Sequence, residues 1–296
     1  MAMGEANTSL PLGSERWESL FSNPSPGTTR RWPWISRLPS DSIVHQWLIL
    51  PTVLAGLVRN SLKDPHGFRH RLIKGIFVEI KRFSSPNIKN IELSEIAGIE
   101  KAVVAGGVTR VACGSQYCPL ILAALCQVLD CKTVFEIGTY LGETAWLLAH
   151  NKLDAHIYTL DLPDINAASN VKLDLTDINY FRTWDRGAKF LGTPEQKRIT
   201  QLYGDSATFD FSPYRGIIDL VFIDASHSYS YVKSDTKAAF EMLSEQGTIV
   251  WDDYTFYPGI FAFLNELSPR LDRPIMHILG TRLAIYSRRE LTVPDK

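Results

Sequence analysis

The sequence predicts an α/β fold: a Rossmann-like, mostly parallel sheet of seven strands with helices on both faces, a terminal antiparallel hairpin and a helical N-terminal extension. Three observations predict it. After Cys131, short runs rich in Val and Ile alternate with helical stretches. The runs are almost continuously apolar, as strands covered on both faces must be. Several end in carboxylates or glycines, the punctuation of strand ends in such sheets.

In chain order, strands are read at 132–137, 156–160, 198–202, 217–223, 247–251, 274–279 and 282–286, and helices at 142–150, 229–244 and 258–267. Only Gly280-Thr281 separates the last two strands, which makes them a hairpin. Upstream, Cys118–Leu129 reads as one apolar helix and Ile91–Ala105 as another, ended by Gly106-Gly107. Val108–Cys113 reads as a short extended stretch. Residues 1–40, rich in Ser, Pro, Gly and Thr, read as an irregular arm with Trp32-Pro33-Trp34 in a basic patch. Asp41 and Ser42 are candidate caps of a helix through about Val58. Arg59–Arg82 places seven basic residues against Asp64 and Glu79, interleaved with Phe68, Leu72, Ile73, Ile76, Phe77 and Ile80, the pattern of a basic amphipathic helix. Its outward charge suits a solvated face packed on the domain, or contact with an anionic surface. The expected division is an arm and extension over 1–110 and a main domain over 111–296. Lid, oligomerisation and surface binding are the roles open to the first part.

Composition excludes whole classes. With 296 residues, 45% hydrophobic and 21% charged, the chain is not disordered, collagen-like or a disulfide scaffold. A net charge of -1 argues against bulk binding of nucleic acid. That sum hides an asymmetry: residues 1–90 hold 12 Lys and Arg against 6 Asp and Glu, and the remainder 19 against 26. Met1–Glu18 is too polar for a secretory signal, and the longest apolar run, Trp47–Val58, is too short to span a bilayer. A cytoplasmic protein is therefore expected, with peripheral membrane contact through residues 43–82 as a candidate and a homo-oligomer left open. Cys113, Cys118, Cys126 and Cys131 lack the paired C-x2-C spacing of zinc sites and read as reduced thiols.

The richest segment is Glu136-Ile137-Gly138-Thr139-Tyr140-Leu141-Gly142, where a buried strand runs through a glycine turn into a helix. Position 140 is Tyr, so the dinucleotide G-x-G-x-x-G is absent, which argues against an NAD-dependent oxidoreductase. Glu136, two residues before the first glycine, suits a cationic ligand such as an ammonium or sulfonium group. Asp161 ends the next strand, where an acid can accept both ribose hydroxyls of a nucleoside. Gly204-Asp205-Ser206 ends the third, where an acid can accept an adenine amino group. Each acid alone could equally cap a helix. In order, along the carboxyl edge of three successive strands, they describe a ligand site.

These residues resemble class I S-adenosylmethionine-dependent methyltransferases. The stretches Arg198–Ser206, Asp219–His227 and Gly247–Tyr254 look like a bacterial branch related to catechol-type and sugar O-methyltransferases. The resemblance covers about 115–287 and is silent on 1–110. It implies that Gly138, Thr139, Tyr140 and Gly142 wrap the methionine part of S-adenosylmethionine with Glu136 nearby, that Asp161 holds the ribose, and that Asp205 and Ser206 flank the adenine.

Asp224 ends the fourth strand of this series and Asp252-Asp253 the fifth. Three carboxylates at one edge suit Mg²⁺ or Ca²⁺, and the resemblance to catechol-type and sugar O-methyltransferases implies a similar metal arrangement. Alternatively, Asp224 contacts cofactor or substrate directly and the pair shapes the next helix. His227, three residues after Asp224, can take a proton near neutral pH and is the candidate base. Tyr229, Tyr231 and Tyr254 read as packing or substrate-wall residues. Asn170–Gly192, with Tyr180, Phe181, Trp184 and Phe190, reads as an insertion that forms a lid with Val108–Gln116. The expected activity is O-methylation of a small hydroxyl compound. The alternative is a non-catalytic cofactor-binding module recruited to a membrane or partner by its basic arm.

Overall fold

The computed structural model describes residues 85–106, 117–163 and 186–292, together with six isolated positions between 55 and 80. The chain divides into two compact units, residues 22–84 and the remainder. In the smaller unit the described positions, Ala55, Val58, Arg59, Leu62, Ile76 and Ile80, are all helical. The expected amphipathic helix over Arg59–Arg82, the arm over 1–40 and the two lid stretches 108–116 and 170–185 otherwise lie outside the described residues.

The larger unit is built on one eight-stranded sheet. Its strands are β1 (Lys89–Ile91), β2 (Thr133–Ile137), β3 (His156–Asp161), β4 (Ile199–Tyr203), β5 (Ile218–Ile223), β6 (Leu243–Trp251), β7 (Met276–Ile278) and β8 (Ala284–Ser287). They lie in the order β1-β7-β8-β6-β5-β2-β3-β4. Every pairing is parallel except those of β8, which runs antiparallel to both β6 and β7. The helices are α1 (Cys118–Val128), α2 (Glu143–Asn151), α3 (Tyr229–Met242) and α4 (Pro258–Leu267).

The apolar strands do bury both faces. In β5, Leu220 and Phe222 join the core beneath α1 and α2, while Val221 and Ile223 join the core beneath α3 and α4. This alternation follows from the two-residue period of a strand. Local signals set the helix starts: prolines open α1 and α4, and the Ser228 hydroxyl accepts the Tyr231 N–H at 3.3 Å to cap α3. In the predicted hairpin, Ile278 N–H donates to Leu283 O across the turn at 3.0 Å, and Gly280 takes φ +80°.

Two expectations are corrected. The sheet has eight strands, because Lys89–Ile91 pairs parallel with β7. And Ile91–Ala105 is not one helix. It leaves β1 and makes two short 3₁₀ turns, Leu93–Glu95 and Ile99–Lys101. Gly98 stands between them at φ +80°, a left-handed conformation that breaks a helical run. Reciprocal capping between Glu92 and Glu95 closes the first turn on itself.

Candidate active site

The glycine turn after β2 is held by close approach. Gly138 takes φ +106°, and a Cβ there would lie 2.1 Å from the Asp224 carbonyl oxygen at the end of β5. Only glycine lets these two strand ends meet. Tyr140 also has a positive φ, 48°, and its N–H donates to Asp161 Oδ2 at 2.7 Å. Arg186 Nε lies 3.2 Å from the same oxygen. Burial pushes the Asp161 pKa up, with the Arg186 charge opposing.

An open cleft with a cavity volume of about 190 Å³ lies along the carboxyl edge of β2–β6. Gly138, Tyr140, Asp161, Asp205, Ser206, Asp224, His227 and Asp253 all line it. Asp205 is held by its own neighbours: Oδ1 accepts Ala207 N–H at 2.9 Å and Oδ2 accepts the Tyr231 hydroxyl at 3.2 Å. Both acids are thus preset on the wall.

Glu136, Thr139 and Gly142 do not line the cleft. Glu136 is 1% exposed and faces β3, where Thr159 donates its hydroxyl to Oε2 at 2.5 Å. Gln201 Nε2 donates to Thr139 Oγ1 at 3.0 Å, and Thr139 and Thr159 share a hydrogen bond of 2.7 Å. These polar side chains form a buried tie between β2, β3 and β4. Burial raises the Glu136 pKa to about 8, so the group is neutral at pH 7 and cannot answer a cation's charge. Gly142, at φ +78°, starts α2 where a Cβ would strike the Phe190 ring at 2.5 Å. Phe190, read from sequence as part of a lid, is 2% exposed in the core.

At the other end of the cleft, Asp224, Asp252 and Asp253 meet as expected, but a fourth residue stands among them. Arg282 Nη2 donates to Asp252 Oδ2 at 2.7 Å, and Nη1 lies 2.8 Å from Asp253 Oδ1. His227 Nε2 lies 3.1 Å from Asp253 Oδ2, and its ring stacks on Tyr257 with centroids 3.7 Å apart. Asp253 N–H donates to Asp252 Oδ1 at 2.7 Å. Desolvation and the charge of Asp253 raise the Asp252 pKa to about 6 despite Arg282. Asp224 is exposed to the cleft, yet desolvation by the protein packed around it and the charges of Asp252 and Asp253 hold its carboxyl well above the ordinary range. Burial opposes the Arg282 charge, but the three carboxylates outweigh it and keep the guanidinium protonated.

This arrangement does not fit a divalent ion. Both Asp252 oxygens accept a protein N–H, Asp253 Oδ2 faces His227, and Asp253 Oδ1 lies 2.8 Å from the Arg282 cation as an ion pair without a hydrogen bond. Among the described residues, no group of three or more His, Cys, Asp or Glu side chains is placed to hold a metal. Cys118, Cys126 and Cys131 are buried thiols outside any disulfide. Tyr231 lines the cleft, Tyr254 is buried against Ser85 and Asn265, and Tyr229 donates to Glu266 at 2.6 Å. Sequence reading missed Arg186, Phe256, Tyr257 and Arg282 on the cleft wall.

Residues 135–254 match the family model described as a methyltransferase domain. No curated protein matches the chain. Solved structures with a similar course include the O-methyltransferase TomG of Streptomyces achromogenes, involved in tomaymycin synthesis and solved with SAM, at 18% identity and TM-score 0.41 over 69% of this chain and 91% of that one. An O-methyltransferase from Bacillus cereus, solved with SAH, gives 18% and 0.40 over 58% and 80%. A methyltransferase from Geobacter sulfurreducens gives 14% and 0.40 over 60% and 80%. Likenesses of this size say nothing about a substrate. The domain match covers the glycine turn, all three strand-end acids and the Asp252-Asp253 pair. Residues 135–254 thus match a methyltransferase domain and lie on a Rossmann-like sheet.

Proposed function

We propose that this chain methylates a hydroxyl group of a small molecule, with S-adenosylmethionine as donor and His227 as base. The observation that supports it best is a single cleft in which a glycine turn, the acids of β3 and β4, and His227 face one another. The cleft fits the donor. Gly138 leaves backbone exposed where a side chain would fill the space, and Asp161 and Asp205 put carboxyl groups on the walls, where hydroxyl and amino donors of a nucleoside could reach them. Gly138 and Tyr140 would border the methionine part, Asp161 the ribose, and Asp205 with Ser206 the adenine. When bound, S-adenosylmethionine supplies an activated methyl group. The chain's own tasks are alignment, proton removal and exclusion of water.

His227 is the candidate for the second task. Its Nε2 faces Asp253 Oδ2 at 3.1 Å, and the imidazole borders the cleft, where it would take the proton of the acceptor hydroxyl. Stacking on Tyr257 fixes the ring plane. With the donor bound, transfer of its methyl group to the acceptor oxygen would leave a thioether, and the hydroxyl proton would pass to His227. The test is release of S-adenosylhomocysteine from S-adenosylmethionine with a panel of phenols, sugars and other small hydroxyl compounds. Acceptor-dependent release that falls strongly in His227→Ala supports the reading. Release with amines alone would overturn it.

A further inference from the structure

We infer that the Arg282 guanidinium is the resident cation of this site: it occupies the seat between Asp252 and Asp253 that a divalent ion would take, and through Asp253 it positions His227. The inference rests on the methyltransferase reading above for the role of His227, but not for the seat itself.

The sheet delivers this cation. In the antiparallel register of β6 and β8, Trp251 faces Ala284. Two residues further out, Arg282 therefore comes opposite Asp253, and Tyr254 N–H donates to Arg282 O at 2.9 Å to lock the approach. The guanidinium is planar and forked, so one group answers two carboxylates at once. Its Nη atoms lie 2.7 Å from Asp252 Oδ2 and 2.8 Å from Asp253 Oδ1. The other two oxygens are taken by Asp253 N–H and His227 Nε2. The side chains of Arg282, Asp252 and Asp253 are only 12%, 4% and 9% exposed. The Phe256 ring lies 5.5 Å from Arg282 Cζ and covers it further.

Mg²⁺ needs oxygen ligands at about 2.0–2.1 Å in a near-octahedral shell and keeps several waters. Such an ion could enter only by driving a buried guanidinium out from between its two partners. Asp253 also carries a left-handed backbone, φ 59°, which the grip of Arg282 and His227 holds in place. Arg282 is thus a positioning residue: it fixes Asp253, and Asp253 fixes the imidazole.

The test is titration of Mn²⁺ into the full chain, followed by electron paramagnetic resonance. The wild type is expected to bind no Mn²⁺ up to about 1 mM, the weak end of protein sites for divalent cations. Arg282→Gln, checked for folding by circular dichroism, uncovers the carboxylates and is expected to gain a Mn²⁺ site that Asp252→Asn removes. Wild-type binding that Asp252→Asn abolishes would overturn the inference, as would a folded Arg282→Gln without affinity for Mn²⁺. If the Gln variant does not fold, the wild-type titration still decides. For the positioning role, Arg282→Lys keeps a charge but not the fork. It should lower kcat by about tenfold or more and move the acidic limb of the kcat/KM profile. A limb that stays in place would assign Arg282 a structural role only. Titration of S-adenosylhomocysteine into the same wild-type sample separates the two readings, since its failure removes the methyltransferase reading without touching the Mn²⁺ result.

Discussion

Replacing Glu136 by Gln should make the protein more stable at alkaline pH and leave it almost unchanged in mild acid. Glu136 is fully buried between β2 and β3, and its carboxyl titrates at about 8 in the fold against an ordinary 4.5. Because the folded value is the higher one, the native state keeps a proton that the unfolded chain has lost. The group's contribution is complete below about pH 4.5 and is lost as pH rises through about 8. Between pH 5.5 and 8.5 the linkage amounts to about 3 kcal/mol, from a difference of some 3.5 pK units at about 1.4 kcal/mol each, less the portions outside that window. Gln keeps an acceptor for the Thr159 hydroxyl and cannot ionise. For a domain of this size, Glu136→Gln should gain on the wild type by roughly 6–12 °C in Tm between the two pH values. Calorimetry at both pH values measures it. A difference in Tm that is the same at pH 5.5 and 8.5 would refute the buried, neutral Glu136.

Two further outcomes follow from the site. Gly138→Ala meets both a positive φ and the Asp224 carbonyl, so it should cost more than about 1 kcal/mol in chemical denaturation and abolish binding of S-adenosylhomocysteine. His227→Ala should lower kcat by about 10²–10⁴-fold, with a smaller change in the KM for S-adenosylmethionine, measured by S-adenosylhomocysteine release.

Much of the fold was legible because its signals are local. Strands buried on both faces must be apolar throughout, and the runs at 218–223 and 247–251 announce themselves. That Asp161, Asp205 and Asp224 share one cleft wall was legible because a parallel sheet gathers its carboxyl ends. What escaped depends on distant partners. Lys89–Ile91 has no pattern of its own and becomes a strand only because β7 offers an edge. Arg282 carries no motif, and its place beside Asp253 follows from the pairing of β6 with β8. Glu136 was read as facing a ligand, whereas its position inside β2 aims it at Thr159 on β3. Phe190 was assigned to a lid on its aromatic company, but the bare Cα of Gly142 leaves the space into which it packs.

The central claim is that the cleft along β2–β6 binds a sulfonium nucleoside. Isothermal titration of S-adenosylhomocysteine into the purified full chain tests it most directly. The account predicts one saturable site per chain, lost in Gly138→Ala and weakened in Asp161→Ala. A folded wild-type protein that binds neither S-adenosylhomocysteine nor S-adenosylmethionine would contradict it.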